Sequence, residues 1–163
     1  MVISVKEVLA EIVNPLPFSF TVDFSDLEFF GRVLFPHPGT FTGKVENRAG
    51  VLRLLGEISL TMDTTCDSCG EKVKRAVTLP VTHVLTLEES AAEKDDELIF
   101  CEDGKLDLAD VAADTLVLQT EMRILCKPDC KGVCFGCGAK LNEEPCRCEK
   151  EIDPRFEALR SLL

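Results

Sequence analysis

Eight of the nine cysteines in this 163-residue chain stand in closely spaced groups. Cys66 and Cys69 form a C-x2-C motif, a second group begins at Cys126 in the run CKPDCKGVCFGCG, and a CRC motif follows at Cys146. Thiolates at such spacings bind soft metal ions, and eight of them make two tetrahedral sets of four, the arrangement that zinc prefers. The sequence therefore predicts two structural zinc sites.

Three other uses of these cysteines fit the sequence less well. Disulfides form in oxidising compartments, but the N-terminal stretch MVISVKEVLAEIV lacks the pattern of a signal peptide, so we expect a cytoplasmic protein. A thioredoxin-type C-x2-C requires a helix N-terminus, whereas this one lies between two strand-like runs. The spacing C-x3-C-x2-C that begins at Cys130 is that of radical-SAM iron–sulfur enzymes, yet only 26 residues follow it. An iron–sulfur or redox protein stays an alternative.

The distances along the chain suggest how the eight sulfurs divide. The second C-x2-C, at 134–137, can be completed locally by the two cysteines of the CRC motif, and the first would then close with the pair at 126 and 130. Spacing alone also allows a swapped arrangement in which Cys66 and Cys69 join the CRC pair. The predicted sets are site 1 with Cys66, Cys69, Cys126 and Cys130, and site 2 with Cys134, Cys137, Cys146 and Cys148.

Both predicted sites are closed, because four thiolates leave no open position for water or substrate, and a closed site is structural. The rest of the chain offers little chemistry. It contains two histidines, His37 in a proline-flanked turn and His83 in a strand-like run, and no glycine-rich phosphate loop. We therefore predict that the chain is not an enzyme and has no small-molecule substrate.

Two strand-like runs position the first cysteine pair. Apolar residues alternate with polar ones over 51–63 and again over 73–87, which predicts antiparallel strands with one solvent-exposed face. Residues 66–70 would then form the hairpin tip, as a zinc knuckle. Residues 18–24 alternate in the same way. Within the run 73–87, Pro80 indicates an edge strand or a bulge.

Short helices are predicted around this sheet. Ser4 and Glu7 form a capping-box pattern, Asp107 is a candidate N-cap, and Asp153-Pro154 begins a C-terminal helix with an apolar stripe. Cys101 has no cysteine neighbour and is expected to be a buried non-ligand. The apolar face predicted for the helix after Asp107 consists of Leu108, Val111, Ala112, Thr115 and Leu118.

The predicted fold class is α+β, with an antiparallel β-meander or barrel-like sheet, short flanking helices and a cysteine-rich zinc-binding C-terminal region. Residues 1–125 would form an acidic β-rich body that carries the first knuckle at 66–70. Residues 126–163 would form the cysteine-rich region and the C-terminal helix, packed with the body as one unit. No apolar run approaches the ~18 residues that span a bilayer, so no membrane association is expected.

The charge is strongly negative and unevenly placed. The net charge is −11, and residues 1–120 hold 21 acidic and 10 basic side chains, while residues 121–163 hold 8 of each. Two zinc ions bound by eight thiolates would bring the net charge to about −15. Such a body repels phosphate, which disfavours strong direct binding of RNA. A basic partner, such as a ribosomal protein, is electrostatically favoured.

The C-terminal stretch resembles the signature of the YceD family. The motif elements are the first C-x2-C, the run C…C-K-G-V-C-x-x-C-G, Leu141-Asn142, the CRC motif and Asp153-Pro154-Arg155. Val133 stands where the family usually has leucine. The order of the earlier elements also fits, so the resemblance covers essentially the whole chain.

The resemblance implies a role in the accumulation of large-subunit ribosomal RNA in bacteria and plastids. Together with the charge, it predicts a non-enzymatic factor that binds a basic ribosomal protein or a large-subunit precursor. The alternative from another class is a generic zinc-stabilised protein-interaction module, for example in transcription, which would leave ribosome profiles unchanged.

Overall fold

The computed structural model describes residues 1–93, 95 and 98–148. The chain divides into two compact units. Unit 1 comprises Met1–Thr64 and Lys72–Met122, and the described part of unit 2 comprises Thr65–Glu71 and residues 123–148. The division expected at residue 125, with both parts packed as one unit, stays a prediction. The C-terminal helix expected after Asp153 lies outside the described residues.

Strands dominate the described chain, and the helices are short. The strands are β1 Val2–Ser4, β2 Leu16–Val22, β3 Glu28–Phe29, β4 Arg32–Val33, β5 Gly39–Arg48, β6 Val51–Thr65, β7 Lys72–Thr86, β8 Leu98–Phe100 and β9 Lys105–Asp107. The helices are α1 Lys6–Leu9, α2 Glu89–Ala92 and α3 Leu108–Gln119. The mixed α+β class is confirmed.

Five strands form the main sheet, in the order β2-β5-β6-β7-β8. β2 and β6 both pair with β5 in antiparallel orientation. β8 joins β7 in parallel, with Val84 opposite Leu98, a departure from the expected all-antiparallel sheet. β1 pairs with β9, and β3 with β4. Among the described strands the order runs from β2 to β8 without closing, so a barrel-like sheet stays unconfirmed.

The long strands β6 and β7 have the predicted alternation. On β6 the buried apolar side chains occupy even positions, and on β7 they occupy odd positions. The period of two therefore placed one face of each strand in the core. β8 pairs only with residues 84–86 of β7, so Pro80 lies outside this pairing and its missing N–H costs no ladder bond there. The buried positions of the two strands are Leu52, Leu54, Ile58, Leu60, Met62, Val73, Leu79, Val81 and Leu85.

The N-terminal capping box is wrong. Val5, not Ser4, is the N-cap of α1, and no side chain there bonds to the helix end. Ser4 instead belongs to β1, where it lies opposite Lys105 of β9. Its extended backbone is fixed by this strand pairing, so its hydroxyl is one residue too early to act as a cap.

α3 begins as predicted but buries a slightly different face. The carboxylate of Asp107 accepts a hydrogen bond from the Ala109 N–H at 2.9 Å. Leu118 was expected in the core and is 81% exposed, whereas Leu116 is fully buried. Two positions correspond to about 200° around a helix, so these two leucines point in nearly opposite directions. The buried side chains of α3 are Leu108, Val111, Ala112, Thr115 and Leu116.

Candidate metal centres

The first cysteine pair occupies a tight knuckle turn between β6 and β7. The Cys66 N–H donates to the Glu71 carbonyl at 2.7 Å, and the Gly70 N–H donates to the Cys66 carbonyl at 2.9 Å. Gly70 has a φ of +73°, a conformation that glycine adopts without strain. The turn therefore folds the backbone around the sulfurs of Cys66 and Cys69.

The second C-x2-C repeats this turn. The Cys134 N–H donates to the Ala139 carbonyl and the Gly138 N–H donates to the Cys134 carbonyl, both at 2.9 Å. Gly138 has a φ of +71°, which matches Gly70. The same C-x2-C-G sequence thus gives the same hydrogen-bond pattern at both places, as the knuckle interpretation requires.

Site 1 brings together cysteines that are far apart in the sequence. The Sγ atoms of Cys66 and Cys130 are 3.7 Å apart, and those of Cys69 and Cys126 are 3.6 Å apart. All four sulfurs lie within 4.8 Å of one another. Cys66 and Cys69 are buried, and the other two are half-buried.

Site 2 is local and much more exposed. Cys134 lies 3.4 Å from Cys146 and 3.6 Å from Cys148, measured between Sγ atoms, and Cys137 lies 3.9 Å from Cys146. Its four sulfurs also lie within 4.8 Å of one another. Three of its cysteines are exposed and only Cys134 is half-buried. The eight sulfurs thus lie in the two groups that local spacing suggested. They do not form the swapped arrangement, in which Cys66 and Cys69 would join Cys146 and Cys148.

The spacing of the sulfurs fits a single tetrahedral ion in each set. Zinc–sulfur bonds of about 2.3 Å place the sulfurs of a tetrahedron about 3.8 Å apart. Five Sγ–Sγ pairs lie 3.4 to 3.9 Å apart, and every pair within a set lies within 4.8 Å. A disulfide would need about 2.05 Å, and all nine cysteines are free thiols. The donor chemistry and the geometry both suit zinc or another thiophilic ion.

The charge balance within each set also favours a cation. Burial opposes ionisation of Cys66, yet backbone N–H donors, that of Ser68 first, lower the pKa of its thiol to about 6. In the same set burial, reinforced by the neighbouring thiols, raises the pKa of Cys126 to about 12. Four crowded thiols cannot all ionise alone, because each thiolate repels the next. A divalent ion among them supplies the charge that deprotonates all four.

The thiols of site 2 differ in pKa in the same way as those of site 1. Backbone N–H groups, those of Cys137 and Gly136 first, lower the pKa of the Cys134 thiol to about 6. Side-chain contacts with Cys134 and Cys146 raise the pKa of Cys148 to about 12. Each set therefore contains two thiols whose pKa is lowered, Cys66 with Cys130 and Cys134 with Cys137, and one, Cys126 or Cys148, that needs a cation to lose its proton.

Asn142 is a site residue that the cysteine pattern did not identify. Its Nδ2 donates to the Sγ of Cys130 at 3.2 Å, and its Oδ1 accepts from the Lys131 N–H at 2.9 Å. Outer hydrogen bonds of this kind orient metal ligands and offset thiolate charge. The sequence signal was its place in the Leu141-Asn142 motif, and this motif did not indicate that Asn142 contacts a cysteine.

Hydrogen bonds also connect the first knuckle to the segment before Cys126. The Asp67 N–H donates to the Ile124 carbonyl at 2.8 Å, and the Ile124 N–H donates to Oδ2 of Asp67 at 2.6 Å. Arg123 donates to the hydroxyl of Ser68 at 2.8 Å, and Ile124 is almost fully buried. These contacts place the two halves of site 1 side by side.

The family comparison covers both cysteine sets. The model of the family described as "Large ribosomal RNA subunit accumulation protein YceD" matches residues 54–163. The chain belongs to the YceD family. The resemblance stated from the sequence motifs is thereby confirmed.

Several curated proteins are similar to this YceD chain. An uncharacterized protein of Mycobacterium bovis is 28% identical over 123 residues, covering 74% of this chain and 59% of the relative. The chloroplastic YCED homolog 1 proteins, named as large ribosomal RNA subunit accumulation proteins, are 25% identical in Zea mays and 26% identical in Arabidopsis thaliana. These matches cover 64% and 61% of this chain, and 46% and 40% of the plant proteins. The chain thus spans less than two thirds of these relatives, and no solved structure matches it.

The remaining residues singled out from the sequence lie in unit 1. Cys101 is buried as expected, and burial raises the pKa of its thiol to about 11. His37 is exposed, with its Nε2 3.9 Å from a carboxylate oxygen of Asp63. Within the described residues, no helix is long and apolar enough to cross a bilayer.

Exposure predicts the order in which the thiols of this YceD protein react. During metal chelation with excess alkylating reagent, we expect the exposed Cys137, Cys146 and Cys148 to be modified first and the site 1 cysteines later. Cys101 should react last, on unfolding, because its buried side chain is shielded from the reagent. Peptide mass spectrometry at timed intervals measures this order. Labelling of Cys101 as fast as that of Cys148 would contradict it.

Proposed function

We propose that this YceD protein is a non-enzymatic factor that supports accumulation of large-subunit ribosomal RNA by binding a basic ribosomal protein or a large-subunit assembly intermediate. Membership of the YceD family carries the proposal. The plant relatives are named as large ribosomal RNA subunit accumulation proteins, and an acidic chain is suited to a basic partner.

Two zinc ions would hold unit 2 together, in the two sets of four cysteines assigned above. Five sulfur separations of 3.4 to 3.9 Å, with all sulfurs of each set within 4.8 Å of one another, support a mononuclear ion. An iron–sulfur cluster places several iron and sulfide ions between its cysteines, which requires wider separations. Thiolate ligands must also stay reduced, so we propose a reducing compartment such as the cytoplasm.

A structural role for the metal follows from the ligand sets. Four cysteines fill a tetrahedral ion, which leaves no position for water activation. A cleft of about 540 Å³ in unit 2 is lined by Ser68, Arg123, Lys131 and Phe135 among others, and by no histidine. Both histidines belong to unit 1. This distribution supports a binding protein over an enzyme.

The partner's chemistry is inferred from charge. Residues 1–120 carry a large excess of carboxylates, and two zinc–thiolate centres would add negative charge. A highly basic ribosomal protein is prone to aggregate or to bind RNA nonspecifically before assembly. An acidic binding protein would shield it until it joins the large subunit.

Depletion in the organism that encodes this chain tests the function. We expect a selective loss of large-subunit rRNA, a deficit of large subunits on sucrose gradients, and comigration of the protein with large-subunit precursors. Normal rRNA levels and a normal gradient after complete depletion would contradict the proposal. They would favour a generic zinc-stabilised interaction module. A brown protein with bound iron and sulfide would favour the iron–sulfur alternative.

A further inference from the structure

The last turn of α3 exposes apolar side chains to solvent. Val117 is 54% exposed and Leu118 is 81% exposed in its last turn, and Met122, just beyond the helix, is 81% exposed. The opposite face of the same helix is buried in unit 1. A helical turn that is apolar on both sides normally has both sides covered. Contiguous apolar surface of this kind marks an interaction site.

Carboxylates lie along the same face. Asp114 follows Asp110 by four residues, Val117 follows Asp114 by three, and Leu118 comes next. These spacings place all four side chains on one side of the helix. α3 contains no lysine or arginine. We name these four residues the α3 outer face.

The surroundings of the α3 outer face add to its negative potential. The last turn of α3 has no basic residue to complement the negative end of the helix dipole. Glu121 follows and pairs with Arg75 at 2.7 Å, so one carboxylate nearby is neutralised. Asp110 and Asp114 also line a cavity of about 180 Å³ with Phe100 and Lys105. This cavity offers room, carboxylates and an aromatic ring for one cationic side chain.

We propose that the α3 outer face is the docking surface for a basic amphipathic protein segment. Apolar side chains of the segment would cover Val117 and Leu118, and its lysine or arginine side chains would pair with Asp110 and Asp114. The inference rests on the proposed function, because it assigns the basic partner to one surface. RNA is the poorer occupant, since carboxylates repel phosphate and Lys105 is the one basic residue, among the described residues, that lines the adjoining cavity.

Binding of a synthetic probe tests the surface directly. The probe is a fluorescein-labelled 18-residue peptide of leucine, lysine and alanine, with leucines spaced to share one helical face. We expect it to bind the full-length zinc-loaded protein, and a peptide with glutamate in place of lysine not to bind. Val117→Ser/Leu118→Ser should weaken binding at least tenfold. Asp110→Asn/Asp114→Asn should do the same at low salt, with a smaller effect at high salt.

Matched variants control for general stickiness and net charge. Ile12 and Phe30 lie on other segments of unit 1 and are 74% and 77% exposed, so Ile12→Ser/Phe30→Ser also removes two exposed apolar side chains. Glu11→Gln/Glu57→Gln changes the net charge by the same amount as the aspartate pair. Circular dichroism and zinc content verify that each variant is folded. Equal effects of control and α3 variants, or displacement of the peptide by single-stranded RNA, would overturn the surface assignment.

Genetic rescue separates this inference from the proposed function. If the wild-type gene restores rRNA after depletion and Leu118→Ser/Asp114→Asn does not, both hold. If the variant restores rRNA as well as the wild type does, the docking surface is wrong while the function stands. If depletion leaves rRNA normal, the proposed function fails, and the peptide measurement still decides whether the surface binds.

Discussion

Cys66→Ser should remove the zinc ion of site 1 and strongly destabilise the cysteine-rich unit, whereas Cys148→Ser should remove the zinc ion of site 2 with a much smaller loss of stability. Structural zinc contributes on the order of 10–16 kcal/mol in small peptides, which is comparable with the whole stability of a domain. Loss of a buried ligand should therefore cost a large part of the stability of this fold. The stability lost should differ sharply between site 1 and site 2.

The difference follows from what each site connects. Site 1 joins residues 57 and 64 positions apart in sequence, through the pairs Cys69 with Cys126 and Cys66 with Cys130. Site 2 joins residues 9 to 14 positions apart. Cross-links that close long loops remove more entropy from the unfolded chain. Site 1 is also buried, so a serine there leaves an uncompensated polar group beside three thiols.

The measurement combines metal content with thermal unfolding. We expect one zinc per chain in both variants, and a large fall in melting temperature for Cys66→Ser alone. Cys101→Ala is the matched control, because Cys101 is buried and outside both sets, so it should keep two zinc ions. Unchanged zinc content in Cys66→Ser would show that the ligand assignment is wrong. Equal destabilisation by Cys148→Ser would contradict the distinction between the sites.

Periodicity predicted the parts of the fold that bury one face over many residues. β6 and β7 are each 15 residues long, so a period of two recurs often enough to be unambiguous. The knuckle turn was equally readable, because Gly70 provides the positive φ that the turn needs. The N-cap Asp107 was found for a similar local reason. In all these cases the information lies within a few neighbouring residues.

The pairings that sequence reasoning missed are short and distant. β1 and β9 are three residues each, and they are far apart in the sequence, with Val2 paired to Asp107. β8 is also three residues long and joins β7 in parallel. Three residues carry too little periodicity to identify a strand, and nothing in them specifies a partner. The same limit explains Ser4, whose capping pattern was overridden by strand pairing.

Side-chain function was predictable where it depends on residue type and spacing. The cysteine sets could be proposed because local spacing limits which sulfurs can meet. Asn142 was missed because its amide is ordinary in sequence and becomes a thiolate donor only when the chain folds over Cys130. Leu118 was misplaced because it lies seven residues after the buried Val111, within about 20° of it around the helix, whereas the last turn of the helix leaves it exposed.

Gly43→Val should unfold the main sheet, with a loss of more than about 4 kcal/mol in the free energy of unfolding. Gly43 of β5 lies directly opposite Gly56 of β6. A Cβ added at Gly43 would collide with the Leu55 carbonyl oxygen and come within 2.8 Å of both the Gly56 Cα and the Phe18 ring. Two of these three obstacles are backbone, which cannot move aside.

The glycine pair has a structural purpose in the aromatic core. Phe18 and Phe41 pack edge to face with ring centroids 4.9 Å apart, and the Phe41 ring would stand 3.0 Å from a Cβ at Gly56. The absence of side chains at Gly43 and Gly56 lets both rings lie against the backbone. Such aromatic pairs contribute about 0.5–1.5 kcal/mol beyond their buried area.

Neighbouring substitutions separate this steric effect from a change in strand propensity. Thr42→Val introduces no extra volume on the same strand and should change stability by less than about 1 kcal/mol. Gly43→Ala should fall between the two, which keeps the test informative if the valine variant fails to fold. Urea unfolding followed by circular dichroism gives the three values. The free energy of unfolding of Gly43→Val could instead lie within about 1 kcal/mol of that of Thr42→Val. In that case the packing of Phe18 does not depend on the close approach of β5 and β6 at Gly43.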